Sequence, residues 1–173
     1  MYPVLVRFID ICRLHCGPQH LPDSRFLLAL TLLGYLSAGM MAAVTDLVSL
    51  FQALVISALN LTLLAVFLYL LLWINNLSSR FSRSLTAISG CSALIDLCSI
   101  PLLLWAQLAT QGKLPGLLLS SVLLWTALLW QAVVVGHILR YALATLLPIA
   151  MSLSVLYTLI SFNINRMLFA NLN

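Results

Sequence analysis

Long apolar runs, not alternation, set the pattern of this chain. They cover residues 26–45, 49–74, 85–107, 116–136 and 141–162, stretches of 20, 26, 23, 21 and 22 residues. An α-helix rises about 1.5 Å per residue, so roughly 20 residues cross a ~30 Å hydrocarbon core. Five membrane-spanning helices are predicted. The first division is the least marked, because Phe26 to Ile74 is nearly continuous and only Thr45-Asp46 interrupts it. A single straight helix of that length would overshoot the bilayer more than twofold, so the chain is expected to turn near Asp46.

The remaining connections carry clearer signals. Asn75-Asn76-Leu77-Ser78-Ser79-Arg80 opens a polar loop, Thr110-Gln111-Gly112-Lys113-Leu114-Pro115 is a turn cluster, and Gly136-His137 with Arg140 marks a short link. No fixed-period repeat or low-complexity linker divides the chain. The fold class expected is an all-α integral membrane bundle, with residues 26–165 as one domain and 166–173 as a short tail.

Ahead of it, residues 1–25 repeat Leu5, Phe8, Ile9, Cys12 and Cys16 at helical spacing, while Arg7, Asp10 and Arg13 face elsewhere. This predicts a short amphipathic interfacial helix on the cytoplasmic leaflet, ended by Gly17-Pro18. The 20 apolar residues of the first run exceed the ~7–15 of a signal peptide's apolar region, so that span is expected to be retained.

Composition settles the class. The 173 residues are 63% hydrophobic and 7% charged, with a mean hydropathy of +1.12 and no Glu. A soluble domain carries about 25% charged residues, so a water-soluble globular protein is excluded. The net charge of +4 points to no nucleic acid, because the eight cations are scattered and form no patch. They serve as topology signals instead. With the amino end cytoplasmic, that side holds Arg7, Arg13, Arg25, Arg80, Arg83 and Arg140 against Lys113 and Arg166 opposite. This bias predicts amino end in and carboxyl end out. The membrane expected is the inner (cell) membrane of a bacterium, and the first partner is the lipid bilayer.

Asp96 is the leading candidate for chemistry. It is central in the third run, where an ionised carboxylate costs several kcal/mol unless paired or wet, so it is expected to be protonated at rest. Ser89, Ser92, Asp96 and Ser99 share one helix face and form a polar stripe. Asn60, with Gln52 on its face, and Gln131 sit at similar depth on neighbouring spans, and Asn60 is the expected partner of Asp96. Thr145, Pro148 and Ser152 share a face of the fifth span, where Pro148 is expected to leave the Ala144 carbonyl free. The group Asp96, Asn60, Gln131, Ser92 and Ser99 reads either as a proton or ion relay or as interhelical hydrogen bonds holding the bundle together.

Two further patterns stand apart. Cys12, His15, Cys16 and His20 are of zinc-ligand type, but their spacing lacks the paired ligands flanking a longer loop. Two cysteines on an apolar helix face is the favoured reading, with no metal and no cofactor. Gly34, Ala38 and Ala42 recur every four residues, spacing that lets helix backbones approach closely, within the chain or between copies. No Gly-rich phosphate loop, His-Glu-x-x-His or Gly-x-Ser-x-Gly is present. Nothing assembles a nucleophile, a base and an orienting group, and an enzyme is not expected.

Gly17-Pro18 and Pro22 ahead of the first span, the tight first hairpin, the basic loop at Arg80 and Arg83, and the stretch from Trp130 through Gly136-His137-Ile138-Leu139-Arg140 to Tyr141 resemble the Yip1-domain family of small five-span membrane proteins, especially its bacterial branch. The likeness covers about residues 17–165. It implies a five-helix bundle with a cytosolic amino end. Eukaryotic members of that family act in vesicle traffic through Rab GTPases, and the acidic and tyrosine positions before their Gly-Pro are filled here by other residues.

Two functions follow as expectations. The first is a multi-pass membrane protein of accessory or organising type, assembling with itself or with other membrane proteins. The second is a small proton-linked transporter or channel component centred on Asp96. They differ in whether the acid is dry and bonded or reached by a polar path.

Overall fold

The computed structural model describes residues 2–45, 49–113 and 115–172. Asp46, where the first turn was expected, lies outside them. Among the described residues the chain is helical without strands: α1 (Tyr2–Cys12), α2 (Arg25–Thr45), α3 (Leu50–Ile74), α4 (Phe81–Thr110), α5 (Leu117–Leu143) and α6 (Leu147–Leu172). The helices α2 to α6 are each long and apolar enough to cross a membrane, as a multi-pass membrane protein requires.

The links between consecutive spans are short, so neighbours run antiparallel. One end of the bundle, here proximal, gathers α1 with the starts of α2, α4 and α6. The distal end gathers the starts of α3 and α5 with the far ends of α2, α4 and α6. The α2 helix packs along α4, and α5 lies between α4 and α6. Close approach of α2 and α4 uses small residues: Ala38 is fully buried, and a Cβ on Gly34 would meet the Ala93 methyl at 3.9 Å. A Cβ on Gly39 would meet the Ser57 hydroxyl of α3 at 3.0 Å. The small-residue stripe is thus used within the chain.

The structure departs from the sequence expectation at both ends of the proximal half. The expected apolar face of Leu5, Phe8, Ile9, Cys12 and Cys16 is divided between core and surface. Phe8 and Ile11 are buried in the core, while Leu5 and Ile9 stay exposed. The Phe8 ring occupies the space a side chain at Gly90 would need, so α1 is wedged against α4. The Cys91 thiol donates to the Phe8 carbonyl at 3.8 Å. Helix α1 ends at Cys12, before Gly17-Pro18, and Leu14 takes a left-handed φ of 63°. Gly17 then presses on α5, where a Cβ would stand 3.0 Å from the Tyr141 ring.

The second departure is the last link. Helix α5 continues through Gly136, His137 and Arg140 to Leu143, and the chain turns at Ala144, whose φ is 51°. The reason lies in what the polar residues meet. His137 is buried, its Nε2 lies 3.3 Å from the Cys16 carbonyl, and its ring stands edge-on to Tyr141 at 5.0 Å. Arg80, from the α3–α4 link, donates to the carbonyls of Tyr141 and Ala142 at 3.3 and 3.4 Å. A cation on the exposed carbonyls of a helix C-terminus complements its dipole. Pro148 accordingly falls in the first turn of α6, where a missing N–H costs nothing, and not in the helix interior.

Candidate functional site

Each polar side chain at mid-bundle is placed by a helix whose sequence fixes its start. In α3 that start is a capping box: the Ser49 Oγ accepts from the Gln52 N–H at 3.3 Å, and Gln52 Oε1 accepts from the Ser49 N–H at 3.1 Å. Gln52 therefore belongs to the helix end and not to the interior polar set. Asn60 follows as the eleventh residue of α3, and Asp96 is the sixteenth of the 30 residues of α4. Five residues beyond Asp96, Pro101 removes one N–H from the ladder, leaving the Leu97 carbonyl without its helical donor.

These positions meet around a cavity of about 430 Å³ in the distal half of the bundle. Ser92 and Asp96 line it from α4, Asn60 and Ser57 from α3, and Gln131 from α5. Tyr35 from α2 and Tyr157 with Asn165 from α6 complete the polar wall, and Phe162 adds an aromatic face. All five spans contribute. Small-molecule sites usually enclose about 300–1,000 Å³ with a few convergent polar groups, and this cavity falls in that range.

The wall is partly knitted together. Asn60 and Asn165 exchange reciprocal amide hydrogen bonds of 3.1 Å, and the Ser161 hydroxyl donates to Asn60 Oδ1 at 3.1 Å. Tyr35 and Tyr157 are electrostatic neighbours of one another and of the Asp96 carboxyl. Tyr157 is held in place by the Phe67 ring at a centroid distance of 5.3 Å. Ser57 differs. It is 3% exposed, and its hydroxyl has no hydrogen-bond partner among the described residues.

Below this level the bundle core is apolar. Leu68 and Leu72 of α3, Ile88 of α4, and Ile138 and Leu139 of α5 are all buried in the proximal core, capped by Phe8 and Ile11. The cavity around Asp96 thus lies on the distal side of this core.

Of the residues the sequence singled out, Asp96, Asn60, Gln131 and Ser92 come together here. Ser99 does not: its hydroxyl returns to the Ile95 carbonyl at 2.9 Å, off the cavity wall. Ser89 likewise bonds its own helix at the Leu85 carbonyl, 2.7 Å away. Asn60 binds Asn165 and Ser161, not the expected Asp96. Thr145 lies in the α5–α6 link and Ser152 donates to the Pro148 carbonyl at 2.9 Å, so that face does not reach the cavity.

At the other end, Cys12 closes α1, while His15 has turned away with its Nδ1 2.9 Å from the Arg13 carbonyl. Cys12 faces Cys91 of α4, whose S–H, turning from the Phe8 carbonyl to a Cys12 thiolate, holds the Cys12 thiol below its ordinary pKa. Cys16 lies beyond the helix. Among the described residues no three metal-type side chains gather, and the His20 side chain lies outside them.

Sequence reasoning missed Tyr35, Tyr157, Ser57, Ser161 and Asn165. A tyrosine inside an apolar run reads as apolar bulk, although its hydroxyl usually finds a polar partner when buried. Asn165 was lost because the last span was expected to close at residue 162. Shifting its start to Leu147 carries α6 past Asn165.

No family model, curated protein or solved structure matches the chain.

Proposed function

We propose that this protein is a small proton-linked transporter or channel component in which Asp96 is the protonatable group. The observation that supports it is the distal cavity, where a midplane carboxyl shares one open space with polar side chains from five helices. An acid serving merely as interhelical glue has its oxygens covered by bonded neighbours, whereas this one faces free volume. The small-residue stripe of α2, which a second copy could have used, has Gly34 against Ala93 of α4 within the same chain.

The topology expected from the cation bias, amino end in, puts this distal cavity toward the outer face of a bacterial inner membrane, and its mouth is proposed to open there. The Yip1-like layout is part of the same proposal. Gly17 has a physical role that suits it, since its close approach to Tyr141 draws the segment before α2 against α5.

Thiol accessibility tests the reading. Thr158 lines the cavity from α6, and Thr158→Cys in spheroplasts is expected to react with a membrane-impermeant methanethiosulfonate added outside, above the background of the unsubstituted chain. Protection of that thiol from outside reagent overturns the outward-open crevice.

A further inference from the structure

The cavity has a definite electrostatic character. Among the described residues that line it there is no Lys, Arg or His, and its one carboxyl is Asp96. The groups facing Asp96 from the packed helices are the phenols of Tyr35 on α2 and Tyr157 on α6, together with the uncharged amides of Asn60 on α3 and Gln131 on α5. Among the described residues lining the cavity, no cation balances an ionised Asp96. An ionised carboxylate there needs a positive partner, and a bound proton or a bound cation each supplies one.

The rest of the wall fits an organic cation better than a hydrated metal ion. Tyr35, Tyr157 and Phe162 offer aromatic faces, which attract ammonium groups through the ring quadrupole. The Ser57 hydroxyl, buried on the wall without a partner, is left to bond a polar atom of an occupant.

Building on the proposed function, we infer that the substrate is a small organic cation, an aromatic or alkyl ammonium, which competes with a proton for Asp96. The exchange balances simply. The protonated carboxyl releases its proton to the water of the cavity as the ammonium enters, leaving a carboxylate–ammonium pair of unchanged net charge. Return of a proton expels the cation. Since the two cannot occupy the carboxylate together, an inward proton drives an outward cation once the bundle alternates its access.

The test uses the full chain in nanodiscs with benzyltrimethylammonium as probe, and benzyl alcohol and benzoate as neutral and anionic controls. Calorimetric titration in two buffers of different ionisation enthalpy reports proton release directly. The expected result is saturable binding of the cation, release of about one proton per cation bound, and affinity that rises about tenfold per pH unit while the carboxyl is protonated. Asp96→Asn is expected to abolish binding with an unchanged thermal midpoint, and Asp96→Glu to restore it with the same proton release. Cation binding without proton release, or binding that survives in Asp96→Asn, overturns the inference. Preference for benzyl alcohol or benzoate also overturns it while leaving the crevice intact, as does failure of every probe when Thr158→Cys is labelled from outside. Failure of every probe together with a protected Thr158→Cys removes the crevice itself.

Discussion

Asn60 of α3 and Asn165 of α6 face each other as mirror-image amides, each donating to the other's carbonyl oxygen at 3.1 Å. Their pairing closes the distal wall of the cavity and fixes α6 against α3, two helices with little other contact. Reciprocal amide bonds satisfy both partners in one geometry, so loss of either leaves the other unmatched in an apolar setting.

Asn60→Leu and Asn165→Leu are each expected to destabilise the protein by about 1–2 kcal/mol, and the double variant by less than the sum. Interhelical hydrogen bonds in membranes couple by about 0.6 kcal/mol, rarely beyond ~1.7. Denaturation in mixed detergent over the four-member cycle measures this coupling, and strict additivity would show that the pair does no joint work.

Docking of α1 depends on the missing side chain at Gly90. Gly90→Val is expected to eject the Phe8 ring and free the amino-terminal helix, with an overpacking cost of about 1–3 kcal/mol. Limited proteolysis of residues 2–16 checks it: cleavage should be fast in Gly90→Val and in Phe8→Ala, and slow in the unsubstituted protein. Equal rates in all three would show that the Phe8–Gly90 contact does not hold α1.

Cys12 should titrate early. When the Cys12 thiolate forms, the Cys91 S–H turns to it from the Phe8 carbonyl and stabilises it, against a smaller opposing effect of burial. As pH rises, its alkylation by N-ethylmaleimide is expected to switch on below the ~8.5 of a free cysteine. In Cys91→Ala the hydrogen bond goes and burial remains, so the midpoint moves upward. Mass spectrometry of Cys12-containing peptides across pH 6–10 reads both midpoints, and an unmoved midpoint in Cys91→Ala refutes the pairing.

Arg80 acts as a cap on α5 from a distant link. Arg80→Ala is expected to cost about 1 kcal/mol through loss of the charge on the helix C-terminus, and Arg80→Lys rather less. The ion pair Arg83–Asp23, at 3.4 Å and about half exposed on both sides, is expected to contribute at most ~1 kcal/mol. Thermal melts of Arg80→Ala and Asp23→Asn should therefore rank in that order.

Topology completes the set. Reporter fusions at Asn76 and Lys113, in links at opposite ends of the bundle, should report opposite compartments, with Asn76 cytoplasmic. The same compartment at both sites would require a different number of crossings between them.

Composition and run length by themselves determined the membrane class, the number of crossings and the polar positions Asp96, Asn60, Gln131 and Ser92. These follow from a local rule, the length of helix that hydrocarbon demands, and from the cost of a polar group placed at mid-depth. What only the tertiary structure decided is how polar groups are satisfied. Gly136, His137 and Arg140 looked like a link because polar residues ordinarily mark one. Folding brings the Cys16 carbonyl to His137 and the Arg80 guanidinium to the end of α5, so the helix continues there. Phe8 looked like a surface anchor because nothing local reveals a socket 82 residues away at Gly90. Hydrogen-bond partners and sockets are properties of facing helices, and a single helix period carries no information about which face its neighbour will present. For the same reason Asn60 found Asn165 and not Asp96, and the carboxyl was left facing the open cavity on which the proposed function rests.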